Sequence, residues 1–197
     1  IFGSRDDLPS YHLKRLTEEG HVVIATDYLL APVTKLEDIL SDLEESLASL
    51  LEQVADHLGN DLPYFIWGRS AGAFLRLYLA GNGGLAQPIA GVVSFYGYAF
   101  MVDDWYRSKN AYFNKTYPAL DASWLNQLPD EPRVEGDLRD AMGAYVYARQ
   151  TGKWKDIIMG DEGSDPLISL IKPSEDIDFL QAYSLRDLEE FPVPLFI

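Results

Sequence analysis

A serine stands between two glycines in the stretch Gly68-Arg69-Ser70-Ala71-Gly72. An apolar run, residues 64–67, comes directly before this stretch, and an apolar helical pattern, residues 71–80, follows at once. The pattern G-x-S-x-G between a strand and a helix is typical of a nucleophilic serine on a sharp turn. Strained dihedrals and a close approach of strand and helix favour glycine two positions away on either side. We therefore predict Ser70 as a catalytic nucleophile and Gly68 and Gly72 as the glycines of its turn, residues 68–72, which we call the elbow.

The backbone amide of Ala71 is the second candidate group. Ala71 begins the predicted helix, so its N–H is expected to point toward the oxyanion that forms when the serine Oγ attacks a carbonyl. We predict this amide as one oxyanion-hole donor. The competing interpretation is a glycine-rich turn in which Ser70 only caps the helix. The strand before the elbow and the helix after it favour the nucleophile.

A nucleophilic serine needs a base within hydrogen-bond reach, and the base needs an orienting carboxylate. The histidines of the chain, His12, His21 and His57, all precede Ser70. His21 opens a predicted strand and His57 closes a predicted helix, which places both at the amino edge of the sheet, whereas an elbow presents its serine at the carboxyl edge. His12 lies in a helix predicted to pack outside the sheet. We expect none of the three to be the base.

Candidate carboxylates follow the strand after the elbow. Asp103 and Asp104 stand at a position from which a triad acid could act. Exposed acidic side chains are the norm in so acidic a chain, so we favour a solvated surface role for both. Arg69 has two open interpretations, a contact to a substrate carboxylate or an ion pair with a neighbouring acid.

Hydrophobic periodicity predicts the elements that position these residues. In chain order they are a helix over 8–19, a buried strand over 21–26, a helix over 34–57 with a capping box at Thr34-Lys35-Leu36-Glu37, a strand over 64–67, a helix over 71–80, and a strand over 89–95. The alternation of strand and helix predicts an α/β fold with a mostly parallel sheet flanked by helices.

The alternation stops after Tyr98, which divides the chain into three predicted regions. Residues 1–98 form the core, residues 99–172 form a helical cap insertion with a helix over 138–150, and residues 173–197 return to the sheet through a helix over 184–191 and a strand over 193–197. The insertion is rich in aromatic residues, which line an apolar pocket or fill the insertion's own core. These residues are Trp105, Tyr106, Tyr112, Phe113, Tyr117, Trp124, Tyr145, Tyr147 and Trp154. Tyr96 and Tyr98, at the carboxyl end of a strand, are further candidate pocket walls.

Composition narrows the classes of function. The formal net charge of −15 makes nucleic acid a poor partner. There is no cysteine, which excludes disulfides and thiolate chemistry and fits a reducing, cytoplasmic compartment. The histidines lack metal-ligand spacing, and we expect no metal and no cofactor. No apolar run reaches the ~18 residues of a membrane span, so we expect a globular protein in solution.

Four stretches resemble the α/β-hydrolases, in particular the hormone-sensitive-lipase-like esterases and related bacterial hydrolases. They are Phe2-Gly3-Ser4, Asp27-Tyr28-Leu29-Leu30-Ala31-Pro32, the elbow, and Gly91-Val92-Val93-Ser94-Phe95-Tyr96-Gly97. Leu29 departs from the family pattern, which has arginine there. The resemblance implies a His-Gly-Gly-Gly loop before Phe2, and a triad aspartate and histidine after the last strand. On this reading the chain is the interior of a longer hydrolase, with an incomplete fold and both ends cut.

These features predict a carboxylesterase-like serine hydrolase that acts on small apolar esters. The alternative from another class is a non-catalytic domain that binds a ligand or a protein, suggested by the lack of a usable base. Peptidase, lactonase or thioesterase chemistry also stays open, because a fold does not fix a function.

Overall fold

The computed structural model describes residues 3–59, 62–81, 89–97, 105, 108–159 and 194–196. Its α-helices are α1 (Ser10–Glu18), α2 (Leu36–Leu58), α3 (Ala71–Gly81), α4 (Ala111–Thr116), α5 (Leu138–Thr151) and α6 (Trp154–Met159). Its strands are β1 (Phe65–Arg69), β2 (Gly91–Phe95) and β3 (Leu195–Phe196), and two 3₁₀ turns cover Arg5–Asp7 and Ala122–Gln127.

The three strands form one parallel sheet in the order β1-β2-β3. The register between β1 and β2 runs from Phe65 opposite Gly91 to Arg69 opposite Phe95. Val92 lies opposite Leu195 in the pairing of β2 with β3. Because the strands are parallel, their carboxyl ends lie at one edge of the sheet, and the elbow follows β1 at that edge. The predicted α/β class is confirmed.

The described residues fall into two compact units. The first, which we call the sheet unit, comprises the described residues among 40–106 and 175–197. Its core is a cluster of buried side chains from α2, β1, α3, the approach to β2, and β2 itself. They are Leu47, Leu51, Ile66, Leu77, Ala80, Ile89 and Val92. Partial burial against this cluster raises the pKa of Tyr64 through desolvation.

The second, the helical unit, comprises the described residues among 1–39 and 107–174. Its central helix is α5, where Ala141, Ala144 and Ala148 are fully buried. Gly143 on the same helix faces the indole of Trp124, and a Cβ there would lie 1.9 Å from that ring. Small residues along α5 therefore allow the 3₁₀ turn Ala122–Gln127 to pack closely against it.

The four predicted helices that fall within the described residues are confirmed to within two residues at their ends. Gly20, which follows the predicted helix over 8–19, has a φ of 86°, and Gly152 after α5 has a φ of 79°. Both are in the left-handed region that glycine adopts without steric cost. The predicted helix over 184–191 lies outside the described residues, and the division at residues 98 and 172 stays a prediction.

Two predictions in the first forty residues are wrong. Residues 21–26 form no strand, and Val22 and Ile24 are 65% and 46% exposed instead of buried. β-branched residues favour extended backbone, but a strand exists only where a second backbone pairs with it. The capping box also fails, because α2 begins at Leu36 and the buried Thr34 Oγ1 makes no hydrogen bond. The Lys35 carbonyl instead accepts the Ile39 N–H at 2.9 Å.

Candidate active site

The elbow has the predicted strand–turn–helix form. β1 ends at Arg69, α3 begins at Ala71, and Ser70 between them is exposed with a φ of 51°. A non-glycine residue seldom adopts this left-handed conformation. The Ser70 N–H donates to the Phe95 carbonyl at 2.9 Å, which ties the turn to the end of β2. The serine side chain is thus presented to solvent on a backbone fixed at the carboxyl edge of the sheet.

The two elbow glycines differ in their surroundings. A Cβ on Gly68 would lie 2.2 Å from the Gly72 carbonyl oxygen and 2.6 Å from the Ala73 nitrogen. This confirms that strand and helix approach too closely for a side chain at position 68. Apart from its chain neighbours and the backbone of its own helix, no atom lies within 4 Å of a Cβ built on Gly72. The steric reason predicted for a glycine at position 72 is therefore wrong, because the crowding acts on Gly68 alone.

Ala71 is the first residue of α3, so its N–H has no carbonyl one turn earlier in the helix. The Ser70 carbonyl accepts the amides of Ala73 at 3.1 Å and Phe74 at 3.3 Å. These bonds fix the first turn of α3 next to the serine. A backbone donor at this position could stabilise negative charge developing beside Ser70 Oγ. The oxyanion role of Ala71 stays a prediction.

Of the three histidines, His12 and His57 lie on helices as predicted, whereas His21 opens no strand. His12 is on α1, and His21 is exposed after that helix. His57 is in the last turn of α2, with Nδ1 2.7 Å from the Gln53 carbonyl oxygen. That turn leads toward the amino end of β1, whereas Ser70 follows its carboxyl end. Asp103, Asp104 and Tyr98 lie outside the described residues.

Asp27, in one of the stretches that resemble the α/β-hydrolases, contacts Arg5, the residue directly after the stretch Phe2-Gly3-Ser4. Arg5 Nη1 lies 3.1 Å from Asp27 Oδ2, and the Arg5 N–H donates to Asp27 Oδ1 at 2.6 Å. The Asp27 side chain is only 10% exposed. Gly3 pairs with Gly136 through two backbone hydrogen bonds of 2.8 and 3.1 Å. Asp27 and Gly136 therefore hold the backbone of residues 3–5 in a defined conformation.

Part of the aromatic set in the insertion forms an internal cluster of the helical unit. The Tyr145 ring meets those of Phe113 and Trp154 edge to face, with centroids 5.4 and 5.1 Å apart. Phe113 also stacks on Tyr117 at 5.7 Å. Burial raises the pKa of Tyr145, mainly by desolvation. For these residues the structure favours core packing over a pocket wall. Tyr112 and Trp105 are exposed, and Tyr106 lies outside the described residues.

Buried charges next to this cluster were missed by sequence reasoning. Lys155 Nζ lies 3.3 Å from Asp156 Oδ1, and both side chains are less than a tenth exposed. Burial raises the pKa of the Asp156 carboxyl, against the opposing effect of Lys155. No pattern in the sequence signals this pair, because charged residues are ordinarily exposed. The described parts of the chain hold no cluster of three or more acidic or histidine side chains suited to a metal.

Comparison with known proteins decides the family. A family described as alpha/beta hydrolase fold matches residues 7–170 of the sequence. The chain belongs to the alpha/beta hydrolase fold family. The parallel sheet and the strained serine between β1 and α3 are consistent with an incomplete alpha/beta hydrolase fold. No helix in the described ranges is long and apolar enough to cross a membrane.

Two solved structures share this alpha/beta hydrolase fold with the chain. A protein of unknown function from Staphylococcus aureus subsp. aureus Mu50 is 29% identical with a TM-score of 0.70, over 86% of this chain and 58% of that one. An alpha/beta hydrolase superfamily protein from Enterococcus faecalis is 25% identical with a TM-score of 0.63, over 86% of this chain and 60% of that one. The chain thus spans less than two thirds of either structure. No curated protein matches the sequence.

Proposed function

We propose that the protein is a serine hydrolase of the carboxylesterase type, with Ser70 as its nucleophile. The observation that carries the proposal is the φ of 51° at an exposed serine between β1 and α3. Such a conformation costs about 1–3 kcal/mol and persists where the surrounding structure imposes it, often at functional sites. Here the hydrogen bond to Phe95 and the close approach at Gly68 impose it.

In the proposed reaction Ser70 Oγ attacks the carbonyl carbon of an ester. A C–O bond forms while the hydroxyl proton passes to a general base, and the Ala71 N–H donates a hydrogen bond to the resulting oxyanion. Collapse of the tetrahedral intermediate breaks the bond to the alcohol oxygen, which takes the proton. Water then hydrolyses the acyl-enzyme by the same steps. We propose a histidine other than His12, His21 and His57 as the base, oriented by a carboxylate.

The proposed substrates are small, neutral, apolar esters. The formal net charge of −15 repels anionic substrates over the surface as a whole. The exposed aromatic residues Phe95 and Tyr96 also lie at the carboxyl edge of the sheet, where Ser70 lies. Phe95 is the last residue of β2, and Tyr96 is the residue after it. Apolar substrate groups would be in contact with these rings.

The proposal is tested by labelling and turnover in the full-length protein. A fluorophosphonate should label Ser70, as identified by peptide mass spectrometry, and p-nitrophenyl acetate should be hydrolysed. Ser70→Ala should lose the label and reduce kcat by about 10³-fold or more, because no other group can form the acyl-enzyme. Ser46→Ala, at an exposed serine on α2, is the matched control and should behave as the wild type.

Thermal unfolding of both variants checks that neither change disrupts the fold. Full ester turnover by Ser70→Ala, or a fluorophosphonate adduct on another residue, would show that Ser70 is not the nucleophile. A folded protein with neither turnover nor label would instead favour the non-catalytic binding domain.

A further inference from the structure

Tyr96 shares the unusual backbone conformation of Ser70. Its φ is 41°, and among the described residues Ser70 and Tyr96 are the non-glycine residues with positive φ. A large side chain in this region is a true outlier, with a free energy cost that nearby structure must offset. The Tyr96 side chain packs little against the core, because the residue is 70% exposed.

Strand register places Tyr96 beside the serine. The last pair of the β1–β2 ladder is Arg69 with Phe95, so Ser70 and Tyr96 are the next residues on the two chains. Neighbouring strands are about 4.8 Å apart. The 2.9 Å hydrogen bond from the Ser70 amide to the Phe95 carbonyl shows that the two chains remain in contact at this point.

Contacts on both sides of Tyr96 hold its backbone against the elbow. Phe95 on one side accepts the Ser70 amide. Gly97 on the other side lies so close to α3 that a Cβ there would be 2.4 Å from Ala73 Cβ. These two contacts hold the backbone of residue 96 next to Ser70 and α3, and the Tyr96 side chain is exposed to solvent from there.

We propose that Tyr96 determines substrate specificity by forming the wall against which the acyl chain of the ester lies. This inference rests on the proposed role of Ser70 as nucleophile. An aromatic ring offers a large rigid apolar surface at little conformational cost. A ring that projects from a backbone one strand spacing away from that of the nucleophile would contact the methylene groups next to the reacting carbonyl. It would add little for an acetyl group, which has a single methyl.

The test compares p-nitrophenyl acetate with p-nitrophenyl hexanoate in the full-length protein. Tyr96→Gly removes the ring at a position whose φ glycine adopts readily, so the variant should fold. It should lower kcat/KM for the hexanoate by about tenfold, mainly through KM, while the acetate value changes by less than about threefold. Tyr96→Phe keeps the ring and should preserve the wild-type ratio of the two substrates.

Phe65→Ala is the matched control. Phe65 is also an exposed aromatic residue, 55% exposed, but it begins β1 and thus lies at the opposite end of the strand from Ser70. The control should keep the wild-type ratio. A hexanoate-to-acetate ratio that Tyr96→Gly leaves unchanged would overturn the assignment, as would an equal change in Phe65→Ala.

Fluorophosphonate labelling separates this failure from failure of the proposed function. If Ser70 is labelled in the wild type and in Tyr96→Gly while the ratio is unchanged, only the role of Tyr96 is wrong. If the wild type is not labelled at Ser70 and hydrolyses neither ester, both proposals are wrong.

Discussion

Gly68 and Gly72 are symmetric about Ser70 in the sequence but not in their energetics. A side chain at position 68 would meet the Gly72 carbonyl and the Ala73 nitrogen, which are backbone atoms of a helix. Backbone atoms cannot move away as the end of a flexible side chain can. Apart from its chain neighbours and the backbone of its own helix, a side chain at position 72 would meet nothing within 4 Å. Ser70 therefore depends on Gly68 for its position and not on Gly72 for steric reasons.

The first prediction compares alanine at these two positions. Gly68→Ala should lower the free energy of unfolding by about 1–3 kcal/mol through overpacking, and should slow fluorophosphonate labelling because the turn shifts. Gly72→Ala should leave stability within about 1 kcal/mol of the wild type, since alanine is the better helix former. Urea unfolding and labelling rates measure both effects. Equal losses in the two variants would contradict the asymmetry.

Helix α5 is tied to the segment before it by one buried glutamine. Gln150 Nε2 donates to the carbonyls of Tyr117 at 3.3 Å and Pro118 at 2.9 Å, and Gln150 Oε1 accepts the Leu120 N–H at 3.0 Å. A further bond of 3.3 Å reaches the Phe113 carbonyl at α4. Backbone groups of residues 113–120 thus form hydrogen bonds with a side chain of α5. Gln150 itself is only 6% exposed.

The second prediction removes this side chain. Gln150→Ala should lower the free energy of unfolding by about 1–3 kcal/mol, because the Leu120 N–H and the carbonyls that share the two Gln150 Nε2 hydrogens lose a partly buried hydrogen-bond partner. Gln53→Ala is the control, since Gln53 is exposed on α2 and bonds to the carbonyl and side chain of Ser49 one turn away. Its effect should stay within about 0.5 kcal/mol. Urea denaturation followed by circular dichroism distinguishes the two, and similar losses would mean that the buried network adds no stability.

The whole molecule carries a strong excess of negative charge. The formal net charge is −15, from 31 acidic and 16 basic residues. Like charges at this density repel one another in the compact state and are farther apart in the unfolded chain. Mobile ions screen this repulsion over a distance of about 10 Å at 0.1 M salt. Salt should therefore stabilise the folded protein as a whole.

The third prediction is a rise in Tm with sodium chloride at pH 7. Between 0.02 and 0.3 M salt the Debye length falls from about 20 Å to about 6 Å. Over this range Tm should rise by about 2–4 °C, which corresponds to roughly 1 kcal/mol for a chain of this size. The same series near pH 4.4, the isoelectric point, is the control and should show a much smaller rise. Differential scanning calorimetry measures both. A Tm at pH 7 that is constant or falls with salt would show that local ion pairs outweigh the net repulsion.

Features that depend on only a few neighbouring residues could be predicted from the amino-acid sequence. The apolar stripe of α2, the turn from β1 through Ser70 into α3, and the glycines that end α1 and α5 follow from periodicity and from the φ that each residue type tolerates. These are interactions within a turn or a few residues, so the sequence alone determines them. The sequence pattern of the elbow belongs to this group, while the hydrogen bond from the Ser70 N–H to the Phe95 carbonyl adds a distant partner.

Only the tertiary structure decided the features that need a distant partner. Val22 to Ala25 has the composition of a buried strand, yet composition does not supply a second backbone, and the segment forms no strand. Tyr145 and Trp154 became an internal cluster because α5 and α6 bring their rings together. The left-handed residue Tyr96 lies between two contacts with distant parts of the chain, the Phe95 carbonyl with the Ser70 N–H and Gly97 with Ala73 on α3. The type of a residue limits the backbone conformations that it can adopt. Contacts with backbone from elsewhere in the chain decide which of these conformations it takes in the folded protein.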